Sequence, residues 1–362
     1  MKKYIILVAG YDYANSGVDF AYIADKRKNY LLKQNPGWQN DVQCIFIRIN
    51  TRTGAIERNL SDDRSRWVVE ATPYEAIRRS VHYRNNQFVA SENRILSIED
   101  CYAYTARIGA DEPGSVKELS LLGHGWFEGP ILVNSFQRQE YNASGANSLQ
   151  RDPWDKDGRS KDFFSQNMEE AAWTGFRNAF ASDGYCWVWG CLFPRAYYNI
   201  LYTVVRSAAY RSKAPGSHTD DQLFPITVSQ SFANDHYPTD PQFFPSAAGE
   251  RSFSRSLRDI KQFVKRGILR CYPGRFALDN GISCRAAYLG VYADYERARG
   301  NIRANETVMI IPRNRETYMI DFSDIIDFYK AYLGLQEDPE GRGYGIYSGA
   351  QAHSWWNETT GS

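Results

Sequence analysis

Residues 3–9 read Lys-Tyr-Ile-Ile-Leu-Val-Ala, a continuous apolar run with none of the polar alternation of a half-exposed strand. The run predicts a central strand covered on both faces. From Asp19 to Gln34 the apolar positions Phe20, Ile23, Ala24, Tyr30 and Leu31 share one side of a helix, stopped by Asn35-Pro36-Gly37. The lysine-rich stretch 25–33 reads as the solvated face of that helix. Residues 42–49 predict a second strand, and a turn after it leads into a short hairpin arm. Thr72-Pro73-Tyr74-Glu75 carries a capping box with Pro at the first helical position, which predicts a helix to Tyr83. Another helix is expected from Ser97 to Ile108, ending at Gly109.

A third strand, 118–122, runs directly into Gly123-His124-Gly125. Residues 135–162 are polar and rich in Gly, Asn and Asp, so they form a loop, and its basic residues make it a candidate processing site. Phe164, Met168, Ala172, Phe176 and Phe180 recur every fourth position and mark an amphipathic helix. The fourth strand is 185–191, Tyr-Cys-Trp-Val-Trp-Gly-Cys, and a helix opens at Pro194. A fifth strand is expected over 224–232, a hairpin over 306–322, a last helix over 323–333, and a loose Gly/Ser-rich tail from Glu337. Strands alternating with helices imply an α/β fold, a three-layer sandwich whose mainly parallel sheet has helices on both faces. Residues 1–235 make its core, 236–336 complete the sheet and the groove walls, and 337–362 form the tail.

Composition narrows the function. A net charge of +1, from 43 basic and 42 acidic residues, calls for neither nucleic acid nor an anionic membrane as partner. The apolar run at the N-terminus is shorter than a signal peptide needs, and no stretch approaches the ~18 apolar residues of a membrane span. A soluble cytoplasmic chain is expected, with specialised export left open. The six cysteines, at 44, 101, 186, 191, 271 and 284, include no Cys-x-x-Cys pair, and the histidines show no ligand spacing. No metal and no cofactor are expected.

Chemistry in open parallel sheets gathers where loops leave the carboxyl ends of the strands. Two such ends carry a reactive side chain, His124 after the third strand and Cys191 after the fourth. The loop and helix between them are what a right-handed crossover needs to set the two ends side by side. A cysteine there is activated by a nearby imidazole and by the N-terminus of the helix that follows it. The backbone N–H groups of Gly125 and Cys191 are candidates for an oxyanion hole. His236 is a second histidine that could approach the strand ends.

The segments Leu-Ser-Leu-Leu-Gly-His-Gly (119–125) and Tyr-Cys-Trp-Val-Trp-Gly-Cys (185–191) resemble the signature of the caspase-like cysteine peptidases of clan CD. That group holds the caspases, metacaspases, separases, gingipains and clostripain, and Gly190-Cys191 is most similar to the separase form. The resemblance spans residues 1–235 in topology but two short motifs in sequence. It implies peptide-bond cleavage with Cys191 as nucleophile and His124 as general acid/base, and a protein or peptide as the partner. Leu192-Phe193-Pro194 after the cysteine, and Trp187-Val188-Trp189 before it, are bulkier than in most relatives and bear on substrate access. Asp12, in the Gly-Tyr-Asp-Tyr loop after the first strand, falls where such peptidases often place a substrate-pocket residue; a carboxylate there favours Arg or Lys. Glu128 and Asp183 are further candidates for substrate binding. Two readings from other classes stay open: a non-catalytic interaction module on the same fold, and a thiol-dependent amidase or acyltransferase on a non-protein substrate.

Overall fold

The computed structural model describes residues 2–89, 94–142, 148–193, 195–246, 249–295, 309–310 and 322–360. A nine-stranded sheet organises them. Its centre is parallel, in the spatial order Ser283–Ala286, Phe180–Val188, Val116–Leu122, Lys3–Ala9 and Cys44–Asn50. Antiparallel strands extend both edges: Ala55–Asn59 and Trp67–Ala71 on one side, Gly345–Tyr347 and Gln336–Glu337 on the other. The α/β architecture expected from the strand–helix alternation is the one observed.

Lys3–Ala9 is central because Ile5, Ile6, Leu7, Val8 and Ala9 are all buried, so both of its faces meet apolar layers. Each large side chain so covered contributes about 1.5–3 kcal/mol. The helix Phe20–Gln34 follows, capped by Asp19, whose carboxylate accepts from the N–H groups of Ala21 (3.0 Å) and Tyr22 (3.2 Å). That helix leads to Cys44–Asn50 on one side of the first strand. The helix Ile98–Asp111 leads instead to Val116–Leu122 on the other side. Right-handed crossovers running in opposite directions put the two helices on opposite faces of the sheet. The divergence opens a crevice between the carboxyl ends of Lys3–Ala9 and Val116–Leu122, the switch point at which open α/β sheets bind ligands.

Several elements differ from expectation, each for an identifiable reason. Residues 72–78 are not helical; Glu75 N–H donates to Arg94 O and Ile77 N–H to Arg52 O, which leaves one helical turn at Arg79–His82. Gly109 does not end its helix. It lies inside Ile98–Asp111, where a Cβ would fall 1.9 Å from Gly175 O of the facing helix Glu170–Ala179. Phe164 and Met168 precede that helix rather than belonging to it. The expected fifth strand, observed as Leu223–Thr227, pairs with Ser252–Ser256 outside the main sheet. The place beside Phe180–Val188 is taken by Ser283–Ala286, held up by the helices Leu257–Arg270 and Tyr272–Asn280. The hairpin expected over 306–322 lies outside the described residues, except for Met309–Ile310, paired with Asp294–Tyr295, and Phe322.

The C-terminal segment is not a loose tail. It supplies two edge strands, the helix Gly349–Thr360 and Glu340. Glu340 explains a second departure, because Arg27 is fully buried instead of solvated. Its guanidinium pairs with Glu118 (2.7 Å) and Glu340 (2.6 Å) and lies over Trp187 and Trp189, 4.9 and 5.2 Å from their ring centroids. A planar guanidinium fits such a slot as an ammonium does not. Trp187 and Trp189, themselves stacked at 4.1 Å, therefore fill the interior against Arg27 and do not wall a groove. No helix among the described residues is long and apolar enough to cross a membrane.

Candidate active site

The strand pairing persists to the very end of both chains that carry the candidate residues, since Trp189 N–H donates to Leu121 O at 3.1 Å. Immediately beyond, Gly190 packs against the His124–Gly125 backbone. A Cβ on Gly190 would lie 2.5 Å from Gly125 N and 2.7 Å from the His124 carbonyl carbon. One on Gly125 would lie 2.9 Å from Cys191 O and 3.3 Å from Cys191 N. Only residues without a side chain permit this approach. It sets His124 and Cys191 on adjacent loops whose backbones touch. The helix Arg195–Arg206 opens just past Cys191, with Pro194 outside the described residues.

His124 sits in a socket of three side chains from the loop after the first strand and the helix that follows. Its Nε2 is 3.3 Å from Asp12 Oδ1. The ring of Tyr13 meets the imidazole edge-on at 4.8 Å, and Phe20 meets it at 5.5 Å. Asp12 is itself fixed, accepting from Ser16 Oγ (3.0 Å), Gly17 N (2.9 Å) and Val18 N (3.3 Å). Burial acts to raise the Asp12 carboxyl, but hydrogen bonds from His124, Ser16 and Gly17 outweigh it and hold the group below the usual carboxylate range. Asp12, expected in a substrate pocket, lies against the imidazole. A carboxylate in that position fixes the ring and stabilises its charged form.

Cys191 alone of the six cysteines is partly exposed; the other five are buried, as the strand context of Cys44 and Cys186 implies. Its Sγ donates to the carbonyl of Ala293 at 3.2 Å. The segment holding that carbonyl is anchored to the cysteine loop, with Leu192 N donating to Val291 O (3.1 Å), Gly290 N donating to Leu192 O (2.7 Å), and Phe193 stacked on Tyr292 at 3.9 Å. Leu192 and Phe193, bulky in sequence, therefore bind this overlying segment. The Tyr13 phenol is pushed up, first by burial and then by the negative ends of Asp157, Cys191 and Asp12.

Beside Gly125 opens a cleft of about 420 Å³, lined among others by Tyr13, Trp126, Glu128, Gln137 and Asp157. Glu128, a candidate substrate-binding residue, lines this cleft at the turn of the hairpin formed by His124–Trp126 and Gly129–Ile131. It accepts from Gln137 Nε2 (3.2 Å) and Arg159 Nη1 (3.3 Å). Asp157 is buried and accepts from the N–H groups of Leu132, Val133 and Ser135 at 2.6–2.8 Å. Burial, and after it the charge of Asp155, pushes the Asp157 carboxyl up to about 6. The loop that carries it is packed tightly: Arg159 is locked on Asp155 (2.5 Å) and Arg151 on Asp162, all four buried. Residues 148–162 are therefore a poor processing site, and 143–147 lie outside the described residues.

Asp183 does not join the site. It pairs with Lys117 at the start of the neighbouring strand, at the opposite end of the sheet. His236, on the short helix Gln230–His236, packs against Phe232 of the same helix. Tyr13 and Asp157 escaped the sequence reading. Tyr13 adjoins Asp12 in the Gly-Tyr-Asp-Tyr loop and could have been taken with it, whereas Asp157 reaches the site through a loop fold that no local pattern announces. Neither a family model nor a curated protein nor a solved structure matches this chain.

Proposed function

We propose that the chain is a cysteine peptidase of the caspase-like type, with Cys191 as nucleophile, His124 as general acid/base and Asp12 as the group that orients His124. The observation that carries this reading is the glycine-only contact between His124–Gly125 and Gly190–Cys191, beyond the carboxyl ends of the paired strands Val116–Leu122 and Phe180–Val188. It supports the reading by placing a nucleophile, a base and two backbone donors on adjacent loops, the residue types an acyl transfer needs.

In the reaction, Cys191 Sγ gives up its proton to His124 and attacks the scissile carbonyl carbon, forming a C–S bond. The oxyanion is received by the N–H groups of Gly125 and Cys191. As the tetrahedral species collapses, the C–N bond breaks and His124 returns the proton to the leaving amine. Water, deprotonated by His124, then hydrolyses the thioester and restores the thiol. The cleft beside Gly125 receives the side chain preceding the cut. Its acceptors, the Glu128 and Asp157 carboxylates and the Gln137 carbonyl, suit Arg or Lys, while the nearby Arg159 has its N–H groups committed to Asp155, Glu128 and the Ser135 carbonyl.

The test is incubation of the intact chain with peptidyl acyloxymethyl ketones that carry Arg, Lys, Asp or Leu next to the reactive carbon. Mass mapping then locates any adduct. Modification of Cys191 by the basic probes, lost in His124→Ala, is the expected result. Labelling by iodoacetamide with none by any peptide probe would turn the assignment to a non-peptide amidase. No labelling by either would leave an interaction module.

A further inference from the structure

A second cleft, of about 580 Å³, lies across the same hairpin from the candidate dyad. Trp126 and Glu128 line the cleft beside Gly125; Phe127 and Glu128 line this one. Its volume falls within the ~300–1,000 Å³ range of ligand pockets. Its walls combine apolar surface with cations, in Phe127, Phe164, Leu269, Trp356, Arg270 and Arg275. The Arg275 guanidinium lies 4.6 Å from the Phe164 ring and 5.4 Å from the Trp356 ring, and its charge is met by Asp279 at 2.7 Å. Arg266, also at the cleft, is met by Asp240 at 3.0 Å. Arg270 differs from both. It ends the helix Leu257–Arg270, is exposed, and has no ion pair among the described residues.

The cleft therefore offers an aromatic floor, with Trp356 38% exposed, under one uncompensated positive charge. Glu128, the acid at its edge, is turned to Arg159. The hairpin tip between the two clefts is fixed by Tyr272 N–H donating to Phe127 O at 3.0 Å, so their spacing is built in. We infer that this cleft is an exosite for an acidic segment of the substrate polypeptide, one that carries an aromatic residue beside its carboxylates. The aromatic ring lies against Phe127 and Trp356, and a carboxylate pairs with Arg270. The exosite rests on the peptidase reading in one respect only, that the substrate is a polypeptide able to cross the hairpin. Charge complementarity selects an acidic partner, and the aromatic walls add contact area that salt does not screen.

The test uses the full chain with Cys191→Ala and a fluorescein-labelled peptide of Asp, Glu and Ser around one Phe. A matched peptide has Lys for every acid. Fluorescence anisotropy is expected to give at least about tenfold tighter binding of the acidic peptide, weakened by salt and reduced about tenfold by Arg270→Glu. Trp356→Ala should weaken it as well. Arg270→Gln provides a milder variant, and thermal melts identify any loss of fold. Equal binding of the two peptides, or unchanged affinity in a folded Arg270→Glu, would overturn the exosite. The binding is read without the thiol, so its failure leaves the peptidase proposal standing. Conversely, a chain that cleaves nothing can still hold the acidic peptide.

Discussion

His124 Nε2 and Asp12 Oδ1 lie 3.3 Å apart, joined across loops that leave neighbouring parallel strands. The carboxylate is pre-set by Ser16, Gly17 and Val18, so the imidazole docks on a fixed acceptor. Asp12→Asn keeps one acceptor oxygen but removes the charge that favours imidazolium and introduces a donor towards the ring. If His124 is the acid/base, kcat should fall about 10²-fold, with KM changing little. Steady-state kinetics on a peptide that the unmodified chain cleaves would decide it. A kcat within twofold of the parent would leave Asp12 a loop-forming residue only.

The missing side chain of Gly190 is as important to the site as any side chain that is present. A methyl group there would meet Gly125 N at 2.5 Å and Gly125 Cα at 2.7 Å, backbone atoms that cannot swing aside as a side chain could. Gly190→Ala should therefore push the two strand ends apart, at a cost of about 1–3 kcal/mol in stability. The functional consequence is an uncoupling. In the parent, iodoacetamide should label Cys191 at about pH 7 and His124→Ala should slow it; in the Gly190→Ala background, removing His124 should no longer matter. Alkylation rates of the four chains, two backgrounds with and without His124, give the coupling directly. An undiminished His124 effect in Gly190→Ala would show that the glycine contact does not set the pair.

Two carboxylates at the site should push stability in opposite directions as pH changes. Asp12 is held below its ordinary value by its hydrogen bonds, so its contribution is present above about pH 4 and fades as pH falls through the lowered value. Asp157 is raised, to about 6, so its contribution is full below about pH 4 and is lost as pH climbs through 6. Asp157 is fully buried, and a shift of this size corresponds to about 3 kcal/mol. Denaturant melts from pH 4 to 7.5 should therefore show a fall in stability centred between 4 and 6, absent in Asp157→Asn. That variant should be less stable than the parent at pH 4.5, because its amide N–H₂ cannot accept from the backbone donors that now share two oxygens. A stability profile that is identical in the two chains would mean that Asp157 ionises without penalty.

How much of this was legible in the sequence depended on how local the cause was. The apolar run 3–9 and the motif ends at His124 and Cys191 needed nothing beyond their own neighbourhoods, and they fall where their patterns place them. The helix expected after Thr72 failed because distant carbonyls, Arg52 and Arg94, claim the backbone donors. Arg27 looked solvated because its acid partners are Glu118 and Glu340, far away along the chain. Leu223–Thr227 has strand composition, but composition does not say which sheet it will join. Asp12 was expected in a substrate pocket, and the structure sets it against His124. A loop position says that a carboxylate is near the strand ends, not whether it faces substrate or histidine.

The carbonyl over the thiol yields the last prediction. Cys191 Sγ donates to Ala293 O at 3.2 Å, and a thiol held as a donor is a poor nucleophile until it is released. The overlying segment is anchored by the Leu192–Val291 bridge and by the stack of Phe193 on Tyr292, with ring planes 16° apart. Tyr292→Ala removes the stack while leaving the backbone bridge, and a stacked aromatic pair contributes about 0.5–1.5 kcal/mol beyond its buried area. Release of the segment should therefore become about twofold to twelvefold more frequent, by the ordinary relation of free energy to population. If release limits access to the thiol, iodoacetamide should label Cys191 faster in Tyr292→Ala by that factor, and the peptidyl probes should gain at least as much. Phe193→Ala should act in the same direction from the other side of the stack. Rates unchanged in both variants would mean that Ala293 already yields to reagent without moving its neighbours, and that the segment is a wall of the site rather than a cover on it.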